Sequence, residues 1–524
     1  AGGGVTDANG AVVNVIAENV VVTALGQIDL DTTIDTLNAS GIGAGDINIV
    51  NTQALTLTDV DTVAGDIDVT TTAGALTVTD VDTVDDNINL TAATAVTLDT
   101  VGAINAGLGT VRLTAQAGDI TSTVADDNTA EITASGIYLT AIGGRIGGAA
   151  AANALDVTTT GSHIQASTTG NNNPVVIDNI SVQDTTLVAT TTGTTSNITA
   201  QQRGGGDLEV ILAQTADGTI TVNVDSADLT ATEVTAGGTG NIDFNTTTAV
   251  GNINLGVVTA DSSTVTISAF GASTISDANG ENVNITATTL NIDDAGSVGA
   301  QDNMVNTDIA TLNMSNIDGA TFITEADDIN LNAVDVDGDF TLSSVAGTIT
   351  ATNVDTSDDI VTLIAGEDIA VQFFGINTDG PGAGTGGDVN LTADDAITIG
   401  VLGIEAVDAT VTMAAGGNIT GGAALNITAG RLNVTDAANV GTALTIANAL
   451  VTDIGILDAR NVDGDVYIYD TASFTAEYVQ AGDDVGLNAN GTDLTIGRII
   501  AQGNVTLSAG RNILDGDALM DTVT

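Results

Sequence analysis

Closely spaced aspartates are the residues of this 524-residue chain with the clearest potential for chemistry. Asp335, Asp337 and Asp339 stand at alternate positions around Gly338. Two further pairs, one sequence repeat apart, are Asp59/Asp61 and Asp80/Asp82. Hard cations such as Ca²⁺ take carboxylate and carbonyl oxygens as ligands, and stacked carboxylates repel one another without a counter-ion. We therefore predict calcium at these seven aspartates.

Side chains that could act as catalytic nucleophiles, zinc ligands or phosphate-binding groups are scarce. The chain has no Cys and one His, His163, in a polar segment that we expect to be a loop. No Gly-x-Ser-x-Gly elbow accompanies this histidine, and ligands for a zinc site are missing. All seven basic residues are Arg, so a phosphate loop that needs Lys is excluded. We predict no catalytic residues, no enzyme activity and no cofactor other than Ca²⁺.

The charge balance limits the partners. The chain has 67 acidic residues against 7 basic ones, a formal net charge of −60. Such a surface repels phosphate groups, so we expect neither nucleic acid nor an anionic membrane as a partner. No apolar run reaches the ~18 residues of a membrane-spanning helix, so we expect no membrane insertion. The acidity has two open explanations, which are bound divalent cations and a saline habitat.

A degenerate repeat predicts the fold. The segment Gly45–Ile49 (Gly-Asp-Ile-Asn-Ile) returns in the next repeat as Gly65–Val69 (Gly-Asp-Ile-Asp-Val). Related segments are Asp86–Leu90, Gly240–Phe244, Gly251–Leu255, Asp328–Leu331, Gly387–Leu391, Gly464–Ile468 and Gly503–Leu507. Alternation of apolar and polar residues predicts short strands, and the flanking Gly, Asn and Asp predict turns. The repeat returns after about 20–21 residues, as from Gly45 to Gly65. Short strands with this period indicate an all-β, right-handed parallel β-helix (β-solenoid) with coils of about 20–21 residues.

Composition agrees with this fold. Trp is absent and only 7 Phe and 4 Tyr occur, whereas Val, Ile, Leu and Ala supply nearly all of the 43% apolar residues. A core of short aliphatic side chains must be narrow, and stacked coils provide a narrow core. We predict a single elongated β-solenoid over residues 1–524. Loop insertions are expected near 143–206 and 376–388, where Gly-rich and Asn-rich segments interrupt the repeat.

The tandem Gly-Asp-Ile-Asn-Leu and Leu-Thr-Leu units resemble the β-helical shafts of filamentous-haemagglutinin-like exoproteins. These bacterial adhesins are exported by two-partner secretion, and autotransporter passengers are similar. The resemblance implies a secreted, extracellular protein of the bacterial cell surface, acting as an adhesive or filament-forming shaft, for instance in biofilm. It implies partners of two kinds. The first is the chain itself, head-to-tail or within a longer chain, and the second is cell-surface glycans or proteins of a host.

The alternative is a carbohydrate-active enzyme. Parallel β-helices also resemble pectate lyases and polygalacturonases, and hydrolases of this shape use clustered carboxylates as acid and base. Lyases need a basic residue, which is rare here, but adjacent aspartates are common. Acidic residues scattered over many coils would favour a shaft, and acidic residues gathered in one cleft would favour an enzyme.

Overall fold

The computed structural model describes residues 3–124, 128–148, 153–247, 251–380 and 386–516. Within these ranges the chain folds almost entirely as β-strands, and no α-helix occurs. The chain divides into two compact units, Ala1–Ser273 and Thr274–Thr524. Each unit is a parallel β-solenoid by itself.

The described part of the first unit contains 24 strands. They are β1 (Val15–Ile16), β2 (Asn19–Ala24), β3 (Ile28–Thr33), β4 (Thr36–Ala44), β5 (Ile47–Asn51), β6 (Leu55–Ala64), β7 (Ile67–Thr71), β8 (Leu76–Val78), β9 (Val81–Thr83), β10 (Ile88–Ala92), β11 (Val96–Leu98), β12 (Ile104–Asn105), β13 (Thr110–Ala115), β14 (Ile120–Ser122), β15 (Ile132–Ile142), β16 (Leu155–Thr169), β17 (Val175–Ile180), β18 (Thr185–Thr191), β19 (Ile198–Arg203), β20 (Leu208–Thr215), β21 (Ile220–Val224), β22 (Leu229–Ala236), β23 (Ile242–Thr246) and β24 (Ile253–Ala269).

The second unit contains the remaining strands of the described residues. They are β25 (Thr274–Asp277), β26 (Ile285–Asp294), β27 (Ser297–Val298), β28 (Val305–Ile317), β29 (Thr321–Glu325), β30 (Ile329–Val336), β31 (Phe340–Ser344), β32 (Ile349–Ala351), β33 (Val354–Asp355), β34 (Val361–Ala365), β35 (Ile369–Val371), β36 (Ile376–Asn377), β37 (Val389–Ala393), β38 (Ile397–Ile399), β39 (Ile404–Ala415), β40 (Asn418–Gly421), β41 (Ile427–Asp436), β42 (Asn439–Val440), β43 (Leu450–Val462), β44 (Val466–Asp470), β45 (Phe474–Ala481), β46 (Val485–Ala489), β47 (Leu494–Ala501), β48 (Val505–Ala509) and β49 (Ile513–Asp515).

Strands pair in parallel with the matching strand of the next coil. In the first unit, Ile47 of β5 lies beside Ile67 of β7, and Ile67 lies beside Ile88 of β10. In the second unit, β32, β35 and β38 form the same kind of column through Ile349, Ile369 and Ile397. The coil length is about 22 residues, close to the predicted repeat, so coils differ mainly in their turns. The predicted all-β parallel solenoid is confirmed.

The core of each unit is a set of aliphatic columns. Alternate residues of the strands point inward, as in β7, where Ile67, Val69 and Thr71 are buried and the residues between them are half-buried. Phe244 and Phe340 are the largest fully buried side chains of the described residues. Because identical positions stack every ~4.8 Å, short aliphatic side chains fill this interior without large rings. The narrow aliphatic core that composition predicts is therefore present in both units.

The glycine of the repeat lies where two coils approach closely. Gly65 has φ of 136°, and a Cβ atom at this residue would lie 2.6 Å from the backbone carbonyl carbon of Gly45 in the coil below. At Gly338 a Cβ atom would lie 2.5 Å from the carbonyl carbon of Gly319. Both contacts are too short for a side chain, so the turns at Gly65 and Gly338 need glycine.

The first expected loop insertion, at 143–206, contains the strands β16 to β19. These strands pair in parallel with those of neighbouring coils. His163 was expected in a loop, and this was wrong, because His163 lies in β16 beside Gly136 and Thr186. Some strands are also much longer than the short strands that the alternation predicts. β24 covers 17 residues, since the chain stays extended through corners of the coil.

Around the second expected insertion, at 376–388, the structure describes β36 and the backbone bonds of Gly386 and Gly387. Residues 381–385 of that segment lie outside the described residues. Among the described residues, no helix has the length and apolarity needed to cross a membrane.

The aliphatic columns give a direct test of the fold. Ile67→Ala removes a side chain that is 0% exposed, so we expect the local free energy of opening to fall by about 2–5 kcal/mol. The matched control in the preceding strand is Val63→Ala, because Val63 is 59% exposed and should change this energy by less than about 0.5 kcal/mol. Amide hydrogen exchange in β5 and β10 measures the free energy of opening in both variants. Equal effects of the two substitutions would contradict the packing described here.

Candidate functional site

The aspartate or asparagine (Asx) that precedes each repeat strand has a structural role. Its side-chain oxygen accepts the backbone N–H of the corresponding residue in the next coil. Asp46 Oδ1 accepts from the N–H of Asp66 at 3.0 Å, and Asp66 Oδ1 accepts from the N–H of Asn87 at 2.9 Å. Meanwhile the Ile47 N–H donates to the Asp66 carbonyl at 2.9 Å. The Asx side chain thus supplies the acceptor at the point where the backbone ladder starts. We name this arrangement the strand-start Asx column.

The same bond recurs through both units. Its acceptors include Asn87, Asp119, Asp184, Asn197, Asp207, Asp228, Asn241, Asn284, Asp328, Asp339, Asp368, Asp388, Asn439, Asp465, Asp484 and Asp493. A buried or half-buried N–H without an acceptor is costly, so every coil gains from an Asx here. Many of the acidic residues therefore hold the coils together, whatever else they bind.

The second Asx of the repeat lies on the outer face of the strand. The side-chain amide of Asn89 donates to Asp68 Oδ1 at 2.8 Å, across the register pair of β10 and β7. Two positions further along their strands, the side-chain amide of Asn245 in β23 donates to Asn223 Oδ1 in β21 at 3.0 Å. These outer ladders add side-chain bonds between coils and leave the outer face polar.

The four aspartates predicted to bind calcium near the start of the chain do come together. Asp61 of β6 lies directly beside Asp82 of β9 in the parallel register. Asp59 and Asp80 precede these two residues along their coils, and the amide of Asn38 donates to Asp59 Oδ2 at 2.8 Å. The aspartates stand on strand faces or at strand starts, and all four are half-buried. We name this group the Asp59–Asp82 cluster.

Burial and charge repulsion raise the pKa values of three aspartates in this cluster. Burial, a hydrogen bond to Asp59 and the charges of Asp59, Asp80 and Asp82 raise the pKa of Asp61 to about 6. Burial and the charge of Asp59 raise the pKa of Asp80. Burial and the charge of Asp80 raise the pKa of Asp82, against a backbone hydrogen bond from Asn105. A proton or a cation on the cluster relieves the same repulsion, so calcium binding here stays a prediction.

The second predicted group lies at the turn between β30 and β31. Asp335, Asp337 and Asp339 are all exposed, and Asp335 lies beside Asp355 of the next coil. Burial and the charges of Asp355 and Asp337 raise the pKa of Asp335. Asp339 belongs to the strand-start Asx column, since its Oδ1 accepts from the N–H of Ile360 at 3.1 Å. One of the three carboxylates thus has a structural partner, and calcium binding by the group stays a prediction.

Sequence reasoning missed a third group. Carboxylate oxygens of Asp308, Glu325 and Asp327 lie within 4.8 Å of one another, with Glu325 buried and the two aspartates exposed. Asp308 comes from β28, and Glu325 ends β29 in the next coil. The available signal was the separation of these residues along the chain, which is close to one coil. The spacing of these carboxylate oxygens suits a cation, but the Glu325 carboxylate already accepts several hydrogen bonds from the protein.

Buried acidic residues replace an asparagine in one recurring corner of the coil. Asn51 is fully buried, and its Oδ1 accepts from the Thr32 hydroxyl at 2.9 Å and the Ile34 N–H at 2.9 Å. The carboxylate of Glu325 accepts in the same way from Thr307 and Ile309, and that of Asp470 accepts from Thr452 and Ile454.

Because these corners lie in the core, burial raises the pKa values of their acidic residues. Burial raises the pKa of Glu325 and of Asp470 to about 7 each, against the donors that lower it. Burial also raises the pKa of Glu131 to about 7 in the first unit. All three acids exchange protons near neutral pH.

An open groove in the first unit is the best candidate for a catalytic cleft. Its lining includes Ser162, Asp184, Asp207, Glu209 and Asp228. The neighbouring His163 places its Nδ1 2.9 Å from the Thr186 hydroxyl, and burial lowers its pKa. However, the three aspartates of this groove are successive members of the strand-start Asx column.

Comparison with family models, with curated proteins and with solved structures finds no match to this chain.

The strand-start Asx column predicts a difference between two substitutions of one residue. Asp66→Ala removes the acceptor of the Asn87 N–H, and we expect a loss of about 1–2 kcal/mol in local stability. Asp66→Asn keeps an oxygen acceptor and removes a charge, so stability should be unchanged or higher. The stabilities of the two variants are compared by urea denaturation and by amide hydrogen exchange in β7 and β10. Equal losses for both variants would show that charge, and not the acceptor, matters here.

The Asp59–Asp82 cluster gives a test of calcium. With a chelator present at mildly alkaline pH, Asp61→Asn should stabilise the first unit by about 0.5 kcal/mol, because it removes a like charge beside Asp82. If calcium binds, millimolar Ca²⁺ should raise the thermal midpoint of the wild type more than that of the variant. An identical response to Ca²⁺ in both proteins would exclude calcium at this cluster. Asp68→Asn on the neighbouring strand face is the control.

Buried Glu325 and Asp470 predict stability that depends on pH. Their folded pKa values, about 7, lie above the ordinary values of 4.5 and 3.8, so the native state holds protons that the unfolded chain releases. The contribution of these two groups to the stability of the second unit should therefore be largest below about pH 4, and it should fall between about pH 4.5 and 7 by up to about 1.4 kcal/mol per pH unit for each group. Above about pH 7 the contribution should level off. Glu325→Gln with Asp470→Asn should flatten this dependence in thermal unfolding scans. A wild type with constant stability between about pH 5 and 8 would contradict the raised pKa values.

Proposed function

We propose that this chain is a non-catalytic structural and adhesive shaft of the bacterial cell surface, exported to the outside of the cell. The observation that carries the proposal is the distribution of the acidic residues. Through both units they recur along the coils as acceptors of the strand-start Asx column, where they join neighbouring coils. An extended scaffold needs this kind of bond at every coil, whereas an enzyme needs its acids at one place.

The surface chemistry supports an extracellular shaft. A formal net charge of −60 keeps such a surface soluble and repels other acidic surfaces. No disulfide is needed, because each coil is stabilised by its neighbours. The likeness of the repeats to haemagglutinin-like shafts agrees with this role, and host glycans or proteins are the partners that it suggests.

The groove lined by Asp184, Asp207 and Asp228 favours the second candidate, a polysaccharide hydrolase. In that function one carboxylic acid would protonate the leaving oxygen, and a second carboxylate would activate water or attack the sugar. The three aspartates each accept a backbone N–H from the next coil through Oδ1, so catalysis would have to use their remaining oxygens. Glu209 has a different contact, accepting from the Thr232 hydroxyl at 3.2 Å.

One experiment separates the two functions. The purified chain is incubated with neutral and acidic polysaccharides from acid to mildly alkaline pH, and new reducing ends and unsaturated uronic acids are measured. We expect no turnover by the wild type, by Glu209→Gln or by Asp207→Asn. Turnover that Glu209→Gln abolishes would establish an enzyme and contradict the proposal. Asp66→Asn is the matched control, since Asp66 has the same column position outside the groove.

A second experiment tests the surface role itself. Bacteria that make the protein are treated with a protease that cannot enter cells, and the chain is detected with an antibody to the first unit. A surface shaft should be labelled on intact cells and should be lost after protease. Detection only after cell lysis would contradict the proposed location.

A further inference from the structure

One corner of the first unit carries a column of exposed aliphatic side chains. On consecutive coils these are Leu25, Ile42, Val63 and Val84, with exposed fractions of 49%, 55%, 59% and 59%. The register of the adjoining residues aligns the column, because Ala24 lies beside Gly41, Gly41 beside Thr62, and Thr62 beside Thr83. We name these four residues the apolar stripe.

The stripe contrasts with the rest of the outer face. Many other outward positions in the same coils are polar, such as Thr56, Asp68, Thr77 and Asn89, and the exposed Val21 and Val50 lie outside the column. Scattered exposed aliphatic residues are ordinary on protein surfaces. A contiguous column is different, because apolar side chains aligned over several coils form a patch, and such patches mark interaction sites.

Carboxylates flank the stripe on both sides. Asp61 and Asp82 precede Val63 and Val84 by two positions, on the strand side. Asp66 and Asp86 follow the same valines closely, on the turn side. Residues 1–111 contain 15 acidic residues and no basic residue. At Val63 and Val84 the stripe is therefore an apolar ridge between two short rows of negative charge, without a nearby cation from this stretch of the chain.

We propose that the apolar stripe is the docking site of a cationic amphipathic helix from another polypeptide. The stripe would bury the apolar face of that helix, and the two carboxylate rows would pair with its flanking Lys or Arg side chains. A second copy of this chain lacks the positive charge that the rows require, and nucleic acid or an anionic bilayer would be repelled. The partner is thus defined by its chemistry, a basic segment with an apolar ridge.

The spacing favours a helix over an extended strand. Neighbouring members of the stripe are one coil apart, ~4.8 Å. Apolar residues on one helix face recur about every turn, ~5.4 Å, whereas those on one face of a strand recur about every 6.7 Å. Four coils span ~14 Å between the first and last side chains, which a helix covers in roughly 11 residues. Anchors at i, i+4, i+7 and i+11 would meet the stripe.

This inference rests on the proposed scaffold role, since it names a partner of that scaffold. The probe is a synthetic helical peptide of about 14 residues with Leu on one face and Lys on both flanks. The control peptide has the same Lys residues and Ser in place of Leu. Binding to the whole chain is measured by fluorescence anisotropy at about 0.15 M salt, where contacts between exposed charges are largely screened beyond ~8 Å.

The protein variants isolate the stripe. The triple variant Ile42→Ser, Val63→Ser and Val84→Ser should bind the Leu peptide at least 10-fold more weakly than the wild type. Val182→Ser, Val257→Ser and Val345→Ser, which are exposed elsewhere, should change affinity less than about 2-fold. All substituted side chains are exposed, and circular dichroism checks that each variant keeps its strands. Asp61→Asn with Asp82→Asn should weaken binding and reduce its dependence on salt.

Each outcome decides the proposal. Loss of binding in the stripe variant alone supports it. Equal binding of the Leu and Ser peptides, or equal binding by the stripe variant and the wild type, would overturn it and leave only general attraction between opposite charges. Self-association of the wild type in sedimentation, lost in the stripe variant, would assign the stripe to a second copy instead. None of these results depends on the absence of polysaccharide turnover, so the proposed function is tested separately.

Discussion

The structure depends on one constraint, that each coil must satisfy the backbone N–H groups of the coil above it. Within the strands the parallel ladder does this, as at Ile47 and Ile67. At the start of a strand the ladder has not yet begun, and an Asx oxygen accepts the N–H instead, as Asp46 does for Asp66. The preceding glycine allows the two backbones to approach at that point, as at Gly65. Each position of the Gly-Asx-Ile-Asx-Leu repeat thus has a physical reason.

This constraint also explains much of the acidity. An Asp and an Asn serve equally as acceptors at the strand start, and columns mix them, as in Asp46, Asp66 and Asn87. Where Asp is used, charge accumulates along the column, and the molecule acquires a strongly negative surface. A surface of this charge repels phosphate and acidic proteins and attracts basic segments.

The sequence predicts the fold well because the repeat encodes it directly. Alternation and the returning glycine give strands, turns and coil length, and the stacked aliphatic core follows from composition. His163 was misplaced because single-residue context cannot show that the chain stays extended through a corner. The aspartate pairs 59/61 and 80/82 were correctly placed on neighbouring coils, since their separation equals one repeat. The Asp308, Glu325 and Asp327 group was missed because its residues share no motif and meet only through stacking.

The Asx columns themselves were not predicted, because a sequence shows that Asx recurs but not which N–H it accepts. Residue-resolved hydrogen exchange of the wild type tests that claim most directly. The account predicts that the amides of Asp66, Asn87, Asp207 and Asp228, which start their strands, are protected as strongly as those inside the strands. Exchange of these amides at the rate of open turns would show that the columns do not hold the coils together, and would remove the basis for the scaffold.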